Sequence, residues 1–170
     1  MGLVELIAGA DERSLAASGV ACLDRCLPLL VEETDVLRPL WAGIADGEDG
    51  WAGQLRSARA ALDDTSAIGE AAAPVRKMIR EAPAEWSSGK LCAWATACSA
   101  LALELHQEID PSGGAEGPLA AGEQRRQVQI LEALSAIPGG AGLRAALDLS
   151  TEGQRVLRAA LSRRARAARA

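Results

Sequence analysis

Apolar positions in this chain recur at helical spacing almost throughout, and most strongly between Ser87 and Ile109. Leu91, Trp94, Cys98, Leu101 and Leu105 follow a 3-4-3-4 spacing, which sets them on one face of an α-helix. Ala93, Ala95, Ala97, Ala100 and Ala102 widen that face with small side chains, so neighbouring helices can approach on several sides. The pattern predicts a helix over 88–109, apolar around much of its circumference and therefore central to a bundle. Its uncharged run, Leu91 to Leu103, is too short for a bilayer, which needs about 20 residues.

The same reading along the chain predicts a short helix over residues 3–8. A second, from about Glu12 to Glu32, has Asp11 as its N-cap and Leu15, Cys22, Leu23, Cys26, Leu27 and Leu30 facing inward. Pro28 removes a backbone donor and should kink or stop that helix near Cys26. Leu37, Leu40, Trp41 and Ile44 mark a short element, and residues 46–50 (DGEDG) a turn. Trp51, Leu55, Ala58 and Leu62 share one face of a helix reaching about Ala67. Gly69 and Pro74 then interrupt the pattern, and Pro74 suits the first turn of a short helix that Pro83 closes. Ser87 or Ser88 caps the central helix. Residues 110–118 (DPSGGAEGP) form the clearest loop. Beyond it, Ala120 to Ile137 presents Val128, Leu131 and Leu134 inward. A break at 138–142 precedes a short helix through Leu149, and Ser150 or Thr151 caps a last helix whose Arg/Ala-rich end, 162–170, is expected to fray.

Composition agrees with helices. Ala, Leu, Glu and Arg are abundant, β-branched and aromatic strand formers are scarce, and both Phe and Tyr are absent. The expected fold is all-α, a single-domain irregular bundle of about five to seven helices around the helix at 88–109. At 170 residues the chain can bury roughly 70% of its unfolded surface. Cys22, Cys26, Cys92 and Cys98 form no CxxC, and the N-terminus lacks a basic leader, so reduced thiols and a cytoplasmic location are expected. Arg far outnumbers Lys and Asn is absent, as in high-GC bacterial genomes.

Charge divides the chain unevenly. Residues 150–170 hold six Arg against one Glu, about +5, and with −5 overall the remainder carries about −10. An acidic body matches a nucleic-acid surface poorly, because a basic patch supplies most of that affinity. The basic end, with Arg155, Arg158, Arg163, Arg164 and Arg166, suits an acidic partner, a membrane surface or a second copy of the chain. The stretch 149–167 is also similar to the first helix of a LuxR-type helix-turn-helix, over that one helix alone.

Candidate chemistry is sparse. His106, the single histidine, has Glu108 and Asp110 nearby, a set suited to acid–base work, with Asp110 at i+4 the better-placed partner. A partly exposed histidine favourable to the helix dipole is the simpler account. Ser87-Ser88-Gly89-Lys90 resembles the Ser-x-x-Lys of penicillin-interacting serine enzymes. The companion S-D-N and K-T-G motifs are absent, and a helix cap followed by a solvated Lys explains the four residues equally. No metal and no cofactor are expected: ferritin-like sites need paired Glu-x-x-His motifs, and DGEDG lacks a calcium loop's ligand pattern. Pro138-Gly-Gly-Ala-Gly142 either makes a plain turn or exposes backbone donors to an anion at a helix start.

Trp41, Trp51, Trp86 and Trp94 are the most informative residues, since indoles supply flat apolar faces and a donor needing a partner. They are also the bulk a core without Phe or Tyr requires. Three functional readings follow. The first is a non-catalytic module binding a protein, peptide or apolar small molecule through a Trp-lined groove, possible as a homodimer. The second is a cofactor-independent lyase, isomerase or cyclase using His106 with a carboxylate. The third is a regulator contacting nucleic acid or an acidic partner through the Arg-rich end.

Overall fold

A computed structural model describes residues 2–33, 35–63, 71–112 and 117–170. Among them the chain is all-α, with eight helices: α1 (Leu3–Ala8), α2 (Glu12–Cys26), α3 (Arg38–Asp46), α4 (Glu48–Asp63), α5 (Ala72–Glu81), α6 (Ser88–Ile109), α7 (Pro118–Ala136) and α8 (Gly139–Arg169). The continuation toward Ala67, Gly69 and the middle of the 110–118 connection lie outside the described residues. No described helix is long and apolar enough to cross a membrane.

Local chemistry accounts for most boundaries. The Asp11 carboxylate accepts the Ser14 N–H and starts α2. Pro28 stops that helix at Cys26, the chain continuing as one 3-10 turn, Leu27–Leu29. Pro39 sits in the first turn of α3, where its missing N–H costs nothing. The acidic segment 46–50 is less of a turn than its composition suggests. Gly47, at φ 73°, turns the chain alone, and Glu48 and Asp49 already belong to the first turn of α4, where the helix dipole favours them. Ser87 caps α6 by accepting the Lys90 N–H, while Lys90 Nζ pairs with Glu85 at 2.8 Å. The lysine is thus engaged away from the serine hydroxyl.

The largest departure lies at the C-terminus. The expected break at 150–151 does not exist, and α8 runs unbroken over 31 residues. Thr151 donates to the Leu147 carbonyl of its own helix, and Ser150 donates across to the Ala21 carbonyl and to Asp24 on α2. Hydroxyls that satisfy themselves within or across helices do not act as caps. The Ala/Arg segment continues as helix to Arg169, as strong helix formers allow.

Two helices make the centre. On α6, Leu91, Trp94, Cys98 and Leu105 are buried and Leu101 partly so. On α2 enclosure goes further, every residue from Leu15 to Cys26 being buried. The helices meet at Gly19, where a Cβ would overlap the Trp94 ring. Trp94 and Trp86 both pack on Trp51, with ring centroids 6.0 and 5.9 Å away. Trp51 donates its indole N–H to the Pro83 carbonyl and Trp94 to that of Met78, at 2.7 and 2.8 Å. Arg59 closes the C-terminal end of α5 by donating to the carbonyls of Ile79, Arg80 and Ala82, groups the helix itself leaves unpaired.

Candidate functional site

Two polar assemblies are built on the successive α2 residues Arg25 and Asp24 and differ in character. The first is wholly interior. Arg25 Nε and Nη2 each donate to the Glu123 carboxylate at 2.8 Å, a two-pronged ion pair with both side chains 0% exposed. Gln127 donates to Glu123 Oε1 at 2.9 Å and to the Ser99 carbonyl, and receives the Ser99 hydroxyl at 2.5 Å. Gly153 of α8 lies against Arg25, whose Cδ would stand 2.5 Å from any Cβ there. Burial works to raise the Glu123 pKa, yet the adjacent guanidinium prevails and holds it below the usual carboxylate range.

His106 belongs to this assembly. Its Nδ1–H donates to the Ala102 carbonyl at 2.7 Å, and Nε2 stands 3.5 Å from Glu123 Oε2, a contact that becomes an ion pair only on protonation. Burial pushes its pKa below 6.5, against the pull of Glu123. Burial also drives the thiols upward, Cys22 to about 12 and Cys26 and Cys98 well above their usual value, so all three stay protonated and inert. The described cysteines are all free thiols.

The second assembly opens to the surface between α3 and α8. A cleft of about 480 Å³ runs between Trp41, Ala42 and Ala45 on one wall and Gly140, Leu143 and Leu147 on the other, with Arg38, Arg144 and Asp148 on its rim. It adjoins a smaller recess of about 220 Å³ lined by Asp24, Asp35, Arg38, Asp148 and Thr151, and Trp41 borders both parts. Asp24 is held by Ser150 and by Gln154, whose Nε2 donates to its carboxylate at 3.2 Å and its carbonyl at 2.9 Å. The Trp41 indole N–H lies near enough to Asp24 to favour its charged form, but makes no bond of hydrogen-bond length and angle. It is a buried donor without a partner.

Burial outweighs these neighbours and lifts Asp24 from 3.8 to about 6. A carboxyl raised on folding stabilises the protein below its unfolded pKa, and that contribution is lost as pH climbs through the folded value. The stability of the wild type relative to Asp24→Asn should therefore fall between about pH 4 and pH 6, then level off. Urea titrations of both proteins across that range check it, and a flat difference would contradict the assignment.

The residues singled out from sequence scatter. His106 meets Glu123 of α7, while Glu108 is exposed and lines a different groove of about 600 Å³ beneath the end of α8, together with Arg164. Asp110 starts α7 instead: its carboxylate accepts the N–H groups of Leu119, Ala120 and Ser112, which hold its pKa down although burial works to raise it. Of the four indoles, Trp51, Trp86 and Trp94 form one cluster, and only Trp41 lines the cleft. Arg155, Arg163 and Arg166 are exposed, whereas Arg158 is half-buried with Nε and Nη2 unpartnered. Sequence reading passed over Arg25, Glu123, Gln127 and Asp24, because apolar periodicity marks inward faces and these side chains are inward but polar. Among the described residues no three His, Cys, Asp or Glu side chains gather as a metal-binding group.

No protein family matches the chain, and no curated protein or solved structure matches it either.

Proposed function

We propose that the protein is a non-catalytic binding module that takes a small molecule in the cleft between α3 and α8. The observation that carries this reading is the indole N–H of Trp41, buried beside that cleft and unpartnered. A buried donor left without a hydrogen bond costs about 1–3 kcal/mol, which an acceptor on a ligand or a bound water relieves. The cleft's size falls within the span of ligand sites, and its walls mix apolar surface with a few convergent polar groups, as such sites do. His106, by contrast, borders neither part of the cleft.

Native mass spectrometry of the protein purified from its natural source tests the reading, with Ala42→Trp as control. Ala42 is exposed on the cleft wall, so the larger ring fills the space without disturbing the core. Wild type should retain a small mass that the variant loses. A wild type without any retained mass, or a variant that keeps it, contradicts the proposal.

A further inference from the structure

The polar groups where the cleft meets its recess narrow what it takes, an inference that rests on the cleft being a binding site. Trp41 is 6% exposed and Asp24 5%, and the indole N–H that makes no hydrogen bond stands beside the Asp24 carboxylate. That carboxylate is itself short of donors. Its Oδ1 accepts from Gln154 Nε2 at 3.2 Å. The Ser150 hydroxyl lies 3.4 Å from Oδ2 but has a closer acceptor in the Ala21 carbonyl, at 3.1 Å. One hydroxyl proton serves one good bond, and the nearer carbonyl takes it. Asp24 makes no salt bridge among the described residues. A buried donor and a buried acceptor, each under-used, thus stand side by side on the wall of the recess.

That pairing selects a functional group. An organic anion could accept from Trp41 only by pressing its charge on the Asp24 carboxylate. An ammonium suits Asp24 but leaves the indole N–H unpaired, its positive end turned toward a cation. A hydroxyl serves both from one oxygen, accepting through a lone pair and donating its proton. Arg38, paired with Asp35 at 3.2 Å, lines cleft and recess alike, so the two parts offer no contrast of charge to orient an ion. Next to the recess, Ala42, Ala45, Leu143 and Leu147 give the cleft apolar walls. We propose that the cleft binds a neutral amphipathic alcohol, its hydroxyl bridging Trp41 Nε1 and Asp24 Oδ2 and its hydrocarbon body lying along Leu143 and Leu147.

Isothermal titration with 1-hexanol, cyclohexanol and 2-indanol tests this, at a pH well above the Asp24 value of about 6 so that the carboxylate is ionised. The methyl ether, amine and carboxylate of each skeleton are compared with its alcohol. At least one alcohol should bind with unit stoichiometry. Its methyl ether, which accepts but cannot donate, should bind about tenfold more weakly, and so should the alcohol to Trp41→Phe, which keeps the ring but loses the donor. Ala42→Trp, which fills the cleft, should abolish binding. Failure of every alcohol at millimolar concentration, an ether equal to its alcohol, an amine or carboxylate tighter than it, or undiminished binding to Trp41→Phe would overturn the hydroxyl assignment. An ether, amine or carboxylate that Ala42→Trp displaces would still leave a small-molecule module, whereas an empty wild type in native mass spectrometry strikes the module itself.

Discussion

Replacing Glu123 with Ala lowers stability by about 3–5 kcal/mol, because it leaves the Arg25 guanidinium charged, fully enclosed and without its partner. The neighbours are poor substitutes: Cys22 Sγ, which accepts from Arg25 Nη2 at 3.4 Å, and Gln127 are neutral, His106 is a competing base whose protonation would add a second positive charge, and Gly153 seals the α8 side. The same substitution frees Gln127 Nε2 from one of its two bonds. Replacing both charges together, as Arg25→Met with Glu123→Leu, should restore most of the loss, since the attraction of a buried pair roughly offsets its desolvation. Urea unfolding of the two variants beside wild type gives the comparison. A single variant as stable as wild type would mean that the pair is not enclosed as described.

Trp51→Ala is expected to cost a similar amount, about 3–5 kcal/mol, for a different reason. Trp51 is wholly buried, holds the rings of Trp86 and Trp94 on either side, and ties α4 to the Pro83 carbonyl. Truncation empties the middle of that cluster and leaves the carbonyl without its donor. Trp41→Phe should cost far less, because the indole N–H it removes makes no hydrogen bond and the ring's apolar body largely remains. Thermal unfolding of the two variants separates a structural indole from one that serves the cleft. Equal losses would place Trp41 in the same structural class as Trp51.

The helical class was legible because its signals are local. Asp11 before an apolar-periodic run, Pro28 behind Cys26 and Ser87 ahead of the central helix act within a turn of where they stand. The continuity of α8 was not, because Ser150 and Thr151 have the chemistry of caps and their partners, Ala21, Asp24 and Leu147, are visible only once α2 lies alongside. The site was legible only in part. Trp41 stood out as an indole, but sequence alone could not separate it from the three that pack together. The Arg25–Glu123 pair spans 98 residues and carries no periodic signature, so its discovery needed the fold. His106 was recognisable as the lone titratable ring, yet its partner came from α7 instead of the adjacent Glu108 or Asp110.

The most direct measurement of the cleft is ¹⁵N NMR of the four indole N–H groups, assigned by single Trp→Phe variants, while a mixture of neutral and charged amphipathic fragments is titrated in. Trp51 and Trp94 already donate to backbone carbonyls and should hold their positions, whereas Trp41 should shift with saturation as its N–H gains an acceptor. Movement confined to Trp51, Trp86 or Trp94, or a Trp41 signal indifferent to every fragment, would contradict binding between α3 and α8.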